Sequence, residues 1–169
     1  MKKILLVILI IVLMPSCINE SEQRYKRASA EIDLLKNGID YYEKADWNSW
    51  MDQYSDSAKI YQNTWYDHLS PEQAREQHEL LTSKLSSYGF ERKNLTMEQI
   101  IDDKGRTWVN SWGLWKGTLK SNGEVVEIPV HLTIQFVDGK VVEEWGFWDT
   151  SILNTALEES ELASLEEGQ

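Results

Sequence analysis

The first half of the chain carries apolar residues at the spacing of α-helices. In the first segment they fall three or four positions apart, on one side of a helix: Ile32, Leu35, Ile39 and Tyr42. Asp46 is a suitable N-cap for a second, short helix over 47–54, whose apolar side is Trp47, Trp50, Met51 and Tyr54. Polar residues over 55–57 are expected to end this helix, and a short strand is predicted over 58–62.

A third helix has the clearest start signal in the sequence. Ser70 is an N-cap residue, Pro71 suits the first helical position, and Gln73 stands where a capping box requires it. The pattern predicts that this helix runs to about Tyr88, with Gly89 in its C-terminal turn.

From residue 95 to residue 150 the pattern changes to that of successive strands. Turn residues over 103–105, 121–123 and 138–139 separate β-rich runs. One run alternates apolar and polar residues over five pairs of positions, so one of its faces is expected to be buried: Ile128, Val130, Leu132, Ile134 and Phe136. Three helices followed by a curled antiparallel sheet make an α+β domain.

The N-terminus has the organisation of an export signal. Two lysines precede an uninterrupted apolar run over 4–14, which is too short to cross about 30 Å of hydrocarbon as a helix. With Ser16 before Cys17, the chain's only cysteine, the first 16 residues resemble a bacterial lipoprotein signal peptide. That resemblance implies acyl chains such as palmitate on Cys17, which would anchor the exported protein in the bacterial cell envelope. The alternative is an ordinary secretory signal with an incidental cysteine.

Charge and composition narrow the range of partners. The chain has 17 basic and 28 acidic side chains and a net charge of −11, which argues against a nucleic-acid partner. Residues 17–28 are polar and are predicted to tether the domain to the membrane. One domain is expected over 29–155, and residues 156–169 are expected to form an acidic tail, interpreted as a solvated, frayed helix.

Three stretches resemble the NTF2-like superfamily, particularly its SnoaL-like branch. They are the Ala45-Asp46-Trp47 step between the first two helices, the Tyr-Ser-Asp-Ser-Ala sequence over 54–58, and the run over 136–149. The resemblance implies a cone in which three N-terminal helices pack against a curved antiparallel sheet. Such a cone has a pocket at its wide end, which is the default place for a ligand.

Catalytic positions of the relatives hold unsuitable residues in this chain. By the resemblance, the general base of ketosteroid isomerases falls on Gln62, their oxyanion tyrosine on Gly38 and their protonated aspartate on Leu132. The acid/base aspartate of SnoaL-like cyclases falls on Gly146, and their histidine again on Leu132. His131 is adjacent, but strand alternation turns it to the opposite face. The expected chamber therefore lacks the proton-transfer groups of the enzymes.

Two titratable residues remain candidates for chemistry. Glu144 shares the inward parity of Gly146 and Trp148, and burial would raise its pKa, but an exposed strand-edge carboxylate is the preferred interpretation. His78 can reach the pocket from the third helix, although a structural or exposed histidine is preferred. The sequence has no metal-ligand spacing, glycine-rich phosphate loop or nucleophile elbow, so no metal and no cofactor is predicted.

Aromatic residues give the more informative signal. Several are expected to converge near the mouth of the cone, where they can stack on a flat ligand or simply fill the space: Trp50, Tyr54, Trp65, Trp112 and Trp148. The other residues predicted to line the site are Gln62, His78, Leu132 and Glu144. Trp112 and Trp115 differ by three positions, so one of them is expected on the outer sheet face, where a homodimer can form.

The sequence thus favours an exported lipoprotein with one NTF2-like domain that binds a small apolar or aromatic ligand or mediates contacts. The competing hypothesis is an isomerase, cyclase or hydrolase that uses Glu144 or His78 as acid or base. A third is a protein-interaction module that uses the outer sheet face.

Overall fold

A computed structural model describes residues 24–167, which form four helices, seven strands and one 3-10 turn, Arg92–Asn94. The helices are α1 (Ala30–Glu43), α2 (Trp47–Met51), α3 (Pro71–Ser83) and α4 (Ser151–Glu167). The strands are β1 (Tyr25–Lys26), β2 (Tyr54–Gln62), β3 (Leu85–Phe90), β4 (Thr96–Ile101), β5 (Thr107–Leu119), β6 (Val125–Val137) and β7 (Lys140–Trp148). The predicted signal peptide and Cys17 lie outside the described residues.

The first two helices each begin at a side-chain cap, and the second begins where the sequence predicts. The Ser29 side chain caps α1 by accepting a hydrogen bond from the Ile32 backbone N–H, and Asp46 caps α2 in the same way through Ser49. The predicted apolar stripe faces the core, because three of its members are buried: Ile32, Leu35 and Ile39.

The second helix is shorter than predicted. It ends at Met51 rather than at residue 54, because Tyr54 pairs with Val141 and so begins β2. The polar residues over 55–57 therefore lie within a strand, at an irregularity in its pairing with β7. A local signal that ends a helix does not exclude a strand that begins at once.

The third helix confirms its predicted start but not its end. Ser70 and Gln73 form both hydrogen bonds of the capping box. The prediction that the helix continues to Tyr88 is wrong: α3 ends at Ser83, and Gly89 lies inside β3 rather than in a helix terminus. The backbone of β3 pairs instead with the second half of β5, whose edge is otherwise free of a strand partner in the described region.

The seven strands form one curved sheet in the order β1-β4-β5-β6-β7-β2. Strand β3 lies off this path, beside the part of β5 that extends beyond β4. All pairs are antiparallel except β2 with β7, so the prediction of a purely antiparallel sheet is wrong at this edge. A tight hairpin would force antiparallel pairing, but α3 and four strands separate β2 from β7 along the chain.

The opposite edge of the sheet contains part of the expected tether. Strand β1 pairs with Gln99 and Ile100 of β4, and Arg24 forms an ion pair with Asp103 at 2.7 Å. Residues 24–26 therefore belong to the folded domain, and the prediction of a polar tether is wrong for them.

The core lies between the inner sheet face and the helices. One buried cluster joins α1, α2 and α3 to the sheet: among its members are Ile39, Trp50, Ala74, Val109 and Ile134. A second cluster joins α4 to the far ends of β5 and β6: among its members are Trp115, Leu119, Ile128, Leu153 and Ala156. This arrangement confirms the predicted α+β cone and adds a fourth helix to it.

Helix α4 crosses the boundary expected between domain and tail. The Asp149 carboxylate accepts a hydrogen bond from the backbone N–H of Ser151, the first residue of the helix, at 2.8 Å. Leu153 and Ala156 pack into the core, so the first turns of the helix are anchored rather than solvated. Within 24–167, no helix is both long enough and apolar enough to span a bilayer.

Candidate functional site

A cavity of about 300 Å³ separates the inner sheet face from the helices. Its walls are mostly apolar and aromatic, with residues from α1, α2, β5 and β6: Leu35, Ile39, Trp50, Trp115, Ile128 and Phe136. The five alternating apolar residues of β6 all line it, as the period-two pattern requires. A concave apolar space of this volume is at the lower end of the range of small-molecule sites.

A hydrogen-bonded pair of side chains supplies the strongest polar feature of the cavity. The Tyr54 hydroxyl donates to Oε2 of Glu144 at 2.6 Å, and Glu144 is only 8% exposed. Glu144 stands on β7 between Ile60 of β2 and Ile134 of β6, its partners in the sheet. The interpretation of Glu144 as an exposed carboxylate is therefore wrong. Strand β7 is not an edge strand, because β2 pairs with it on the side opposite β6.

Burial changes the acidity of both members of this pair. Desolvation raises the pKa of Glu144, and the Tyr54 hydrogen bond opposes that rise only in part. Desolvation also raises the pKa of Tyr54, and the negative charge of Glu144 raises it further. Within residues 24–167 Glu144 has no ion-pair partner, and Tyr54 is its one hydrogen-bond partner from a side chain. The chamber thus contains a buried ionisable pair, although this pair lies outside the positions at which the enzymes carry their proton-transfer groups.

His78 lies in an aromatic cluster at the cavity wall. Its ring is 5.3 Å from Tyr42, 5.6 Å from Trp50 and 6.3 Å from Trp47, measured between centroids. Desolvation lowers the pKa of His78 to about 4, so its imidazole is neutral at neutral pH. His78 does reach the pocket, and its aromatic contacts also agree with the structural role that the sequence favours.

The positions that carry catalysis in the relatives lie on the cavity wall with the residues expected. Gln62, Leu132 and Gly38 all line the cavity, and none of them can transfer a proton. Gly146 leaves room for Trp148: a Cβ at Gly146 would lie 2.3 Å from Cζ3 of the indole. Where the resemblance aligns an acid/base aspartate, this chain therefore has an indole ring packed on bare backbone.

Two predicted site residues lie away from the cavity, which corrects the sequence-based prediction. Trp65 is 68% exposed and packs on Trp145, on the outer side of the sheet. Trp112 is 43% exposed and stacks on His131, whose predicted outward orientation is thereby confirmed. The other seven predicted residues line the cavity: Trp50, Tyr54, Gln62, His78, Leu132, Glu144 and Trp148.

Sequence reasoning missed several wall residues. Tyr42 lies on the predicted stripe of α1, and its hydroxyl accepts a hydrogen bond from Nε1 of Trp115 at 3.2 Å. Gln77 and Asn154 bring amide groups from α3 and α4. The sequence contains a signal for Trp115, because its parity is opposite to that of Trp112 and one of the two has to face inward. No such signal exists for Asn154, because most of α4 belongs to the residues that the sequence analysis interprets as an acidic tail.

Metal-binding groups are not assembled within the described residues. No group of three or more His, Cys, Asp or Glu side chains there is placed to hold a metal ion.

Comparison with solved structures identifies the fold. A hypothetical protein of ketosteroid isomerase-like fold from Catenulispora acidiphila, in complex with trimethylamine, is similar at 7% identity over 71% of this chain and 88% of that chain, with a TM-score of 0.57. A proposed SnoaL-like polyketide cyclase from Shewanella putrefaciens is 13% identical over 78% and 88%, with a TM-score of 0.59. IdmH, a proposed polyketide cyclase from Streptomyces antibioticus, is 13% identical over 75% and 97%, with a TM-score of 0.60.

These similarities establish an NTF2-like, SnoaL-like fold for the chain. No family model and no curated protein matches the sequence. The fold alone leaves the activity open, because one scaffold of this kind supports many functions.

Proposed function

We propose that this chain is an exported lipoprotein whose NTF2-like domain binds one small, largely apolar molecule in the cavity. The observation that carries the proposal is the composition of the site: a cavity of about 300 Å³ lined by apolar and aromatic side chains around one buried polar pair. Sites of this composition gain affinity from apolar burial and orientation from a few polar groups. The complex of a similarly folded protein with trimethylamine gives general support, because it joins this fold to a small ligand.

The polar groups of the cavity determine how such a ligand is oriented. Tyr54 and Glu144 lie on adjacent strands, β2 and β7, and the amides of Gln62 and Asn154 add donors and acceptors. A ligand with an apolar body and one polar group can place that group at the pair while its body contacts Trp50 and the β6 residues.

Proton transfer is the second candidate function, and the buried Tyr54–Glu144 pair specifically favours it. A carboxyl whose pKa is raised by burial keeps its proton to a higher pH than an exposed one and can exchange it with a substrate. Glu144 is the better candidate for this role than His78, since the imidazole makes no hydrogen bond through its ring to another described residue. An isomerase or cyclase that acts on a small ring-forming substrate fits these groups.

Ligand binding can be tested with a neutral fluorescent probe, N-phenyl-1-naphthylamine, added to the full chain purified in a non-ionic detergent. We expect the probe to gain fluorescence with the wild-type protein and to lose most of its affinity in Leu132→Trp, because the new indole fills the cavity. Thr133→Trp is the matched control, since Thr133 lies on the outer face of the same strand. Equal probe binding by the two variants would contradict the proposed site.

The two candidate functions differ in the fate of the natural ligand. Native mass spectrometry of the purified protein should detect any co-purified small molecule, and the released molecule can then be incubated with wild type and with Glu144→Gln. Conversion of the molecule by wild type alone would establish proton-transfer chemistry. Recovery of an unchanged molecule from both proteins would leave the binding function.

Anchoring through Cys17 is supported by the signal-like N-terminus. We expect Cys17→Ser to release the protein into the soluble fraction or to leave it unprocessed, as followed by membrane fractionation and by the intact mass of the chain. Normal processing with normal membrane retention would contradict lipidation and favour an ordinary secretory signal.

A homodimer through the outer sheet face is part of the same proposal. Trp112 and Phe147 are 43% and 37% exposed, and His131 lies between them on the neighbouring strand. A row of aromatic rings across three strands, exposed to water, is typical of a surface that another molecule covers. A second copy of this chain is the occupant that we propose.

A further inference from the structure

We infer that the ligand of the cavity is a small organic cation, an amine in its ammonium form with apolar substituents, whose positive charge lies against the carboxylate of Glu144. This inference rests on the proposed binding function and adds the chemical class of the ligand to it.

The cavity wall contains an acidic side chain but no lysine or arginine to pair with it. Glu144 is the one carboxyl side chain among the wall residues. Across residues 24–167, the ion pairs of the acidic side chains do not include Glu144. A buried carboxylate is costly unless a positive group or several hydrogen bonds compensate its charge, and Tyr54 provides one such bond. The missing countercharge can come from a ligand.

The remaining wall groups are suited to an ammonium ion. Indole and phenol rings attract cations through their π-electrons, and Trp50 and Tyr54 lie 4.5 Å apart beside the carboxylate. The amide oxygens of Gln62, Gln77 and Asn154 can accept N–H hydrogen bonds. An anionic ligand would meet a like charge at Glu144, and a neutral one would leave the carboxyl without a countercharge. The net charge of −11 over the whole chain also raises the local concentration of cations.

The titratable groups around Glu144 determine the pH dependence of cation binding. The cavity-facing titratable groups are Tyr54 on β2, Tyr42 on α1 and His78 on α3, whereas the wall residues of β6 and α4 carry none. His78 is neutral above its pKa of about 4, and burial keeps both tyrosines protonated. Glu144 is therefore the cavity-facing group whose ionisation changes the charge of the cavity as the pH rises through its raised pKa. Cation affinity should increase as the pH rises through that pKa, whereas the affinity of a neutral probe should not.

The test uses choline and its neutral isostere 3,3-dimethylbutan-1-ol, in which carbon replaces the charged nitrogen. Both are titrated calorimetrically into the full chain in non-ionic detergent at pH 7.5 and constant ionic strength. We expect choline to bind at least about tenfold more tightly than the isostere, which is the effect of a cation–π contact combined with a carboxylate. In Glu144→Gln the preference for choline should fall to the smaller part that the aromatic rings alone provide. Glu143→Gln, which removes the same charge from the outer face of β7, should retain the wild-type preference.

Several outcomes would overturn the inference, and they separate it from the proposed function. Equal or tighter binding of the isostere, while N-phenyl-1-naphthylamine still binds, would exclude a cationic ligand and leave the apolar binding site. Absence of binding by all three probes would contradict both. Should Glu144→Gln fail to fold by near-ultraviolet circular dichroism, the wild-type pH profile decides: a preference for choline over the isostere that does not grow as the pH rises would overturn the inference.

Discussion

Strands β5 to β7 carry carboxylates and aromatic rings on both faces of the sheet, but only those on the inner face lie beside the cavity. Glu143 and Glu144 are consecutive, yet Glu143 accepts a hydrogen bond from the Trp145 indole on the outer face while Glu144 lies 8% exposed beside the cavity. Their chemistry is identical, and burial raises the pKa of Glu144 because its side chain lies on the inner face. On a sheet covered on one side, sequence parity determines whether a carboxyl is a surface charge or a candidate site residue.

The aromatic residues follow the same division. On the outer face Trp112 and His131 stack with centroids 5.0 Å apart, and the rings of His131 and Phe147 lie 6.3 Å apart. On the inner face Trp115 is 5% exposed and lines the cavity. The inner rings therefore form part of the cavity wall, whereas the outer rings are exposed to solvent.

The largest expected difference between the faces concerns stability. Ile134 is 2% exposed on the inner face, and Ile134→Ala should lower the free energy of unfolding by about 3 kcal/mol through lost burial and an added void. Its neighbour Thr133 points outward, and Thr133→Ala should change that free energy by less than about 0.5 kcal/mol. Urea unfolding followed by tryptophan fluorescence measures both values. Similar losses in the two variants would contradict the assigned strand parity.

The second prediction concerns the inner histidine and pH. A His78 pKa of about 4 in the folded state lies below the ordinary value of 6.5, so the unfolded chain takes up a proton more readily. The resulting stability is fully present above pH 6.5 and is lost as the pH falls toward 4. Between pH 7 and pH 4.5 wild type should lose about 2 to 3 kcal/mol more unfolding free energy than His78→Phe.

Glu144 titrates with the opposite sign, but its contribution is common to both proteins and cancels in this difference. A raised carboxyl pKa gives stability at low pH that is lost as the pH rises through the folded-state value. His131→Phe is the matched control on the outer face and should keep the wild-type pH dependence. An equal pH dependence in His78→Phe and wild type would show that His78 is not desolvated.

The third prediction concerns Trp112 on the outer face, where we expect a smaller change in stability than for Ile134 or His78. Trp112→Ser should change the free energy of unfolding of the protomer by less than about 1 kcal/mol, because the ring is 43% exposed and spans no cavity. It should, however, convert the proposed homodimer into a monomer, which light scattering after gel filtration can measure. A dimer that persists unchanged in Trp112→Ser would exclude this surface as the contact.

Local signals in the sequence predicted much of the fold. The Ser70 capping box, the Asp46 cap and the alternation along β6 are each specified by residues a few positions apart, and the structure contains all three. The two wrongly predicted helix ends are at Tyr88 and Tyr54, both of which lie in strands in the structure. In both places a strand distant in sequence, β5 or β7, provides hydrogen-bonding partners that outweigh the local helical pattern.

The candidate site was predictable in its membership more than in its chemistry. Parity along β7 indicated that Glu144 faces inward, but whether β7 was an edge strand depended on β2, whose parallel pairing no local signal specifies. The hydrogen bond between Tyr54 and Glu144 joins residues 90 positions apart.

Local patterns in the chain were enough to predict the caps of α2 and α3, the apolar side of β6, and an export-like segment before Cys17. The packing of distant elements was needed to establish that Glu144 is desolvated, that Trp65 and Trp112 lie outside the cavity, and that α4 contributes to its wall. The physical reason is that caps and periodicity act between neighbours in the chain. Burial, and with it the pKa and the countercharge that a group requires, depends on every element that packs around it.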